Sequence, residues 1–291
     1  MSSTIPTHYV IGFNSGIRLL QQQMASRFRG AVSVDTAPQI EGKRAAYDQI
    51  DATVMVAITD RHGPTQVTDD THARRWVTFT PAEKASLIDR ADMRRILNNP
   101  VNDYTRSHKS AADRFLDDKI IGAFFATATT GEEAGSTAAF DTAYSIASGS
   151  VGMRVSKIQD ARRLLEAAEN EEDDDMNRWY AALNAQQRDD LYSETEVIND
   201  SYATTKALAV GAIDTYMGFT FLKSQRLGTV SSERACPFWV KSSMKAAVTQ
   251  EPRTFMDILP ERRHSVQVRT EIDCGATRMD EKGVVRAYCT E

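Results

Sequence analysis

Much of what this chain can become is decided by one long amphipathic run that begins after Asn98-Asn99-Pro100. In it Tyr104, His108, Ala111 and Phe115 recur at three- and four-residue spacing, with Ala112, Leu116, Ile120 and Phe124 beside them. That spacing predicts a single helix to about Ala126. At 1.5 Å per residue it is roughly 40 Å long, beyond an average globular helix. A helix of that length serves as a backbone across a domain, and its neighbours have to pack along its apolar stripe.

The segments before it have little core of their own. Residues 1–43 show little periodicity; Gln21, Gln22, Gln23, Arg27 and Arg29 predict a polar, partly extended arm that lies on a surface, with at most a short helix over 17–28. In residues 47–59, Val54, Val56 and Ile58 alternate with Thr53, Met55, Ala57 and Thr59, the period-two pattern of a strand. A second short strand is predicted over 74–79. Between the two, Asp60-Arg61-His62-Gly63-Pro64 and a polar stretch to His72 read as the tip of a long hairpin. With so few apolar residues this hairpin has to project and bury its faces against a partner. Thr80, Pro81 and Glu83 then form a capping-box signal, which predicts a helix to about Leu97.

Past the long helix, residues 127–152 are rich in Thr, Ser, Ala and Gly and predict a loop with an edge strand. Ser156 and Gln159 make another capping box, followed by Ile158, Ala161, Leu164, Leu165 and Ala168 on one face of a helix to about Glu169. Residues 176–183 read as a strand, Asn184 with Gln187 as the start of a short helix to Leu191, and 211–222 as strand-prone with a break at Gly218. Val266, Val268, Thr270 and Ile272 alternate with Gln267, Arg269 and Glu271. A turn is expected over 273–275 and a last strand over 284–289. Helices and antiparallel strands are segregated, so the class is α+β.

Composition narrows the function. At 291 residues the chain reaches the size at which single cores stop growing, so two lobes or one domain with long excursions is expected. No window approaches the ~20 apolar residues of a membrane span, and no signal peptide opens the chain, which points to synthesis in the cytosol. Cys236, Cys274 and Cys289 have neither disulfide-framework nor zinc spacing. The formal charge of -5 argues against a general nucleic-acid binder. That charge is uneven: residues 160–200 hold thirteen acidic and four basic residues, leaving the remainder net basic. Glu169, Glu171, Glu172, Asp173, Asp174 and Asp175 lack the spaced pattern of a cation loop and read as a solvated, self-repelling run. No phosphate cradle, H-E-x-x-H, G-x-S-x-G or dinucleotide fingerprint is present. His62 and His72 flank the hairpin tip with no third ligand nearby. Asp113, Asp117 and Asp118, beside Arg114 and Lys119, read as helix-surface ion pairs. Trp76, Trp179 and Trp239 read as core or contact residues. No catalytic, cofactor or metal residue is assigned.

Two stretches carry a family resemblance. Arg74-Arg75-Trp76-Val77-Thr78, then Leu87-Ile88-Asp89, Asp92, Leu97 and Pro100, then Ala112-Asp113-Arg114, Asp117-Asp118-Lys119-Ile120-Ile121 and Ala126-Thr127-Ala128-Thr129-Thr130-Gly131 form the first. Gly275-Ala276-Thr277-Arg278 with Gly283-Val284-Val285 form the second. With the order of elements, they resemble the major capsid proteins of tailed bacteriophages with the Hong Kong 97-like fold, in the group common in short-tailed phages. The resemblance implies an N-arm (1–43), an extended β-hairpin loop (44–80), a peripheral domain (81–150) with its spine helix at 100–126, an axial domain (mostly 151–250), and C-terminal strands (251–291) shared between the two domains.

It also implies a subunit without enzymatic activity or cofactor that builds pentamers and hexamers of an icosahedral head around double-stranded DNA. Arg61, His62, Pro64, Arg74, Arg75 and Trp76 are the expected inter-subunit contacts. A separate scaffolding protein and a portal are the expected assembly partners, with a decoration or cement protein as a further one. Assembly is expected in the host bacterial cytoplasm and residence in the virion, with no membrane. Residues 44–83 contain no lysine, unlike members that cross-link through a loop lysine, so a non-covalent shell is expected. The 43 residues before the hairpin leave little room for a built-in scaffold. Two alternatives stay open: another ring-forming virion protein, such as an adaptor or decoration subunit, and a hydrolase with a metal among 169–175 and His62 or His72.

Overall fold

A computed structural model describes residues 22–36, 42–58, 60–61, 63–65, 67–89, 101–170, 177–194, 215–230 and 232–291. In chain order the regular elements are β1 (Ser33–Thr36), β2 (Arg44–Ile50), β3 (His72–Thr78), β4 (Thr80–Ile88), α1 (Val101–Phe125), β5 (Ala128–Thr130), β6 (Ser136–Ala138), β7 (Ser145–Ile146) and α2 (Val155–Ala167). They continue with β8 (Trp179–Leu183), α3 (Ala185–Ser193), β9 (Thr215–Tyr216), β10 (Phe219–Lys223), β11 (Thr229–Val230), β12 (Glu233–Val240), β13 (Met244–Leu259), β14 (Ser265–Arg278) and β15 (Val284–Thr290).

The described residues form three sheets. One runs β1-β13-β14-β4, with α1 lying along it. A larger one runs β7-β15-β12-β8-β10-β9, with β11 on β12 and α2 against β15. The third, β2-β3-β5-β6, carries the projecting loop. The α+β class holds, although β1/β13, β8/β10 and β7/β15 pair in parallel.

The long helix lies where its periodicity puts it, with Leu116, Ile120 and Phe124 buried. Asn184 caps α3 by accepting from Gln187 N–H at 3.1 Å. The last strand, β15, also matches its expectation.

Several expectations fail for physical reasons. Thr80 opens no helix: residues 80–88 form β4, paired antiparallel with 266–274 of β14. A local capping signal is worth about 1 kcal/mol and yields here to a full ladder of long-range bonds. Thr80 Oγ1 instead accepts from Lys119 Nζ at 3.2 Å; residues 90–97 of the expected helix lie outside the described residues. Helix α2 starts at Val155 with Arg154 as N-cap and no side-chain cap bond, so the Ser156/Gln159 box does not form. No turn interrupts 273–275. The irregularity lies in the partner strand, where the β13/β14 register shifts between Val248 and Gln250 and again between Gln250 and Arg253. The chain turns after Arg278 instead. The 16-residue strand β13 had no clear period-two signal.

The arm also behaves differently from its composition. Phe28, Ala31 and Val32 are buried, and β1 adds a parallel strand to β13. What holds them is Asp117, which is no surface ion-pair member but fully buried. Its carboxylate accepts from the backbone N–H of Arg27 at 3.0 Å and of Phe28 at 3.3 Å, and from the side chains of Gln23 and Ser26. Arg114 reinforces the contact by donating to Gln23 O at 2.9 Å, and Asp118 pairs with Arg226. Arm, helix and large sheet then meet at Trp239, whose indole N–H donates to Ala31 O at 2.8 Å.

Trp239→Ala is expected to lower the unfolding free energy by about 3–5 kcal/mol, measured by urea titration, because it opens a cavity and orphans the Ala31 carbonyl. A second test concerns His108, 4% exposed, whose Nε2 lies 3.0 Å from Ser86 Oγ while Nδ1 is buried without a partner among the described residues. Burial first, and then the Lys84 charge, hold its pKa below the ordinary imidazole value. The folded state therefore binds this proton less readily than the unfolded chain. The corresponding stability is complete above about pH 6.5 and declines as pH falls through and below that value. The thermal midpoint of the wild type is expected to fall more steeply from pH 7 to pH 5 than that of His108→Gln.

Candidate functional site

The hairpin supplies the candidate site, as a surface rather than a pocket. Its root is an antiparallel ladder of β2 with β3, Arg44 opposite Thr78 through Ile50 opposite His72. The last backbone rung is Asp51 N–H to Thr71 O at 3.0 Å. Beyond it residues 52–58 are outside any strand, so the alternation of Val54, Val56 and Ile58 finds no partner strand among the described residues. Thr59 and His62 lie outside the described residues. The consequence is a strip of unburied apolar side chains: Val54 is 85% exposed, Met55 99% and Ile58 92%, with Ile50, Val56 and Val67 also exposed. Each such side chain forgoes about 1.5–3 kcal/mol of burial.

The root is fastened to the body through several contacts. Ala45, Val77 and Phe79 bury against Ala247, with Tyr47 packed on them. Gly275 permits this approach, since a Cβ there would collide with the Thr78 carbonyl oxygen and the Val77 side chain. Arg75 pairs with Glu281 at 2.7 Å, and the same carboxylate receives Arg278 Nε. Arg278 is itself fully buried and donates to Phe124 O at 2.8 Å and Ala126 O at 3.0 Å, carbonyls at the C-terminal end of α1. Glu281 therefore joins the loop root to the end of the long helix. Gln49 Nε2 adds a bond to Met279 O at 3.0 Å.

Five of the six expected contact residues are described, and they lie in two places on the loop. Arg61 and Pro64 are exposed at the tip. Arg74, Arg75 and Trp76 sit at the root and are half-buried by contacts within the chain: Arg74 pairs with Asp48 and lies over the Trp76 ring, and Trp76 Nε1 donates to Gly131 O at 2.7 Å. Sequence reasoning missed the fastening residues Asp117, Gly275 and Glu281. Asp117 had a readable signal: it lies three residues before Ile120 and seven before Phe124, inside the apolar stripe, where a carboxylate needs donors.

A second set of exposed apolar residues, Leu87, Met256 and Ile258, lies at the far end of the β4-β14-β13 ladder. A cavity of about 160 Å³ between α1 and this sheet is lined by Ala82, Lys84, His108, Ala111, Phe115 and Ile272 among others. Among the described residues no group of three or more His, Cys, Asp or Glu is placed to hold a metal, and no helix is long and apolar enough to cross a membrane. Residues 171–175 of the acidic run lie outside them.

The same architecture occurs in solved capsids. The capsid structure of cyanophage P-SCSP1u superposes with a TM-score of 0.75 at 13% identity, over 98% of this chain and 94% of that one. The cyanophage Pam1 capsid asymmetric unit gives 0.74 at 14% identity over 99% and 98%, and a Mycobacterium phage Che8 chain gives 0.70 at 14% over 97% of each. The fold is thus the Hong Kong 97-like capsid fold. No curated protein sequence matches the chain. The profile of the family described as phage capsid protein, however, matches residues 5–291, and the chain therefore belongs to that family.

Proposed function

We propose that this capsid protein is the shell-forming subunit of a phage head, assembling as pentamers and hexamers into an icosahedral shell around double-stranded DNA. Its role is structural rather than enzymatic. The observation that carries the proposal is the loop: its root is fixed by Gly275, Arg75 and Glu281, while its apolar strip is left in solvent. A segment built in this way is completed by a second copy. Ordering each loop residue costs about 1–2 kcal/mol of backbone entropy, so the contact becomes favourable only when many apolar residues are covered together. Assembly is therefore cooperative. On this reading residues 44–80 are the extended loop, α1 is the spine of a peripheral domain, and the large sheet forms most of an axial domain.

Arg61 and Pro64 are placed to touch the neighbour directly, and Arg74, Arg75 and Trp76 set the angle at which the loop leaves the body. With no lysine between residues 44 and 83, loop contacts are non-covalent. The uneven charge suits head-to-tail contacts around a ring, which bring different surfaces of identical chains together. A separate scaffolding protein and a portal complete assembly in the host cytoplasm, and a cement protein is a further partner of the finished shell.

The test replaces residues 51–71 with a two-residue Asn-Gly turn, which joins Ile50 and His72 directly. The variant is expected to keep the wild-type circular dichroism and melting midpoint and to remain unassembled, whereas the wild type forms closed shells by electron microscopy. Closed shells from the variant would contradict the proposal, as would a folded wild type that remains monomeric or dimeric at every salt concentration. Rings of one size without closure would assign the chain to an adaptor instead.

A further inference from the structure

The most accessible sulfur among the described residues is in the loop. Met55 is 99% exposed, against 59% for Met256 and 42% for Met24. The Met24 sulfur is also engaged, accepting from Ser110 Oγ at 3.6 Å. Met153 and Met244 are fully buried, Met217 and Met279 are partly buried, and the three cysteines are buried free thiols. Of these sulfurs, a dissolved oxidant therefore meets the Met55 thioether first.

Its position gives that reaction a consequence. Val54, Val56 and Ile58 flank Met55 in a strip of exposed apolar side chains that no described residue covers. A thioether is apolar and flexible, and it adapts to the surface it packs against. Its sulfoxide is polar: the added oxygen accepts hydrogen bonds, and taking such a group out of water without a donor is unfavourable. One oxygen atom thus turns a residue that favours coverage into one that opposes it. The body is untouched by the change, because Met55 lies beyond the last backbone rung, Asp51 N–H to Thr71 O.

Resting on the reading of the loop as a contact between copies, we propose that Met55 is an oxidation switch for assembly: a hydroperoxide converts it to the sulfoxide, and the oxidised subunit stays folded but unassembled. A lone pair on the Met55 sulfur attacks one peroxide oxygen. The S–O bond forms as the O–O bond breaks, and the departing oxygen takes the proton released by the transferred one, leaving as water or an alcohol. Sulfur loses two electrons and the peroxide gains them, so no other reactant is needed. The change is reversible, since methionine sulfoxide reductases remove the oxygen. In a closed shell the same sulfur is covered and reacts slowly.

The test treats unassembled full-length subunits with hydrogen peroxide, removes the peroxide with catalase, locates the added oxygen by peptide mass, and follows assembly by light scattering and electron microscopy. Wild type oxidised at Met55 is expected to keep its melting midpoint and to need about tenfold or more protein to form shells, with recovery after treatment with the reductases. Met55→Leu, which has no sulfur at this position, is expected to assemble equally well before and after the same treatment, although Met24 and Met256 are still open to oxidation. Met55→Gln, polar and of similar length, is expected to assemble poorly with no oxidant present. Unimpaired assembly of protein fully oxidised at Met55 would overturn the proposal. Equal losses in treated wild type and treated Met55→Leu would do the same, because another sulfur would then be responsible. Untreated wild type that forms no shells is a different result: it would overturn the reading of the loop, and this proposal with it.

Discussion

The Trp239 indole lies against Phe124, Phe28 and Tyr180, with ring centroids at 4.6, 5.9 and 5.9 Å, and donates its N–H to Ala31 O. Three segments far apart in sequence share that contact: the arm, the long helix and the large sheet. Asp117 makes it possible, because the backbone N–H groups of Arg27 and Phe28 would otherwise enter the core without acceptors. One aromatic cluster with one buried carboxylate thus sets where the helix lies on the sheets. From the same C-terminal end of the helix, Arg278 and Glu281 carry that placement on to the loop root.

The molecule consequently has two kinds of segment. The body satisfies its own burial: its cluster of buried residues runs from Phe28 to Cys289 and draws on the arm, on α1, α2 and α3, and on the sheets that contain β12 and β13. The loop does not satisfy its own, and its exposure is not caused by a loose attachment. Its base is pinned by a ladder of seven register pairs, by a glycine without room for a side chain, and by a shared carboxylate. A rigid base with an uncovered apolar tip transmits the body's orientation to whatever covers that tip. In a shell of identical copies this makes the angle of one subunit depend on the position of the next.

How much of this was legible in sequence follows from where each interaction is made. The long helix, the Asn184 cap and the last strand depend on residues within one or two turns of each other, and their spacing announced them. The family resemblance drew on short stretches around Arg74-Arg75-Trp76 and Asp117-Asp118-Lys119. Strand β4 was hidden because Thr80-Pro81-Glu83 is a good helix start, and only β14, nearly two hundred residues later, makes the extended form better. The arm was misjudged by its polar average: Phe28, Ala31 and Val32 are few, but they enter the core. For the candidate site, the projecting loop and its lack of a core were readable. The grouping of contacts was not, since Arg74, Arg75 and Trp76 are engaged by Asp48, Glu281 and Gly131, none of which is close to them in sequence.

The account's central claim is that one chain completes the body and another completes the loop. Amide hydrogen exchange, compared between unassembled subunits and assembled shells and followed by peptide, tests that claim most directly. Peptides covering residues 22–36 and 233–240 are expected to be protected in both states, while peptides within 51–71 exchange rapidly in the subunit and slowly in the shell. A loop already protected in the unassembled subunit, or an arm that gains protection only in the shell, would contradict it.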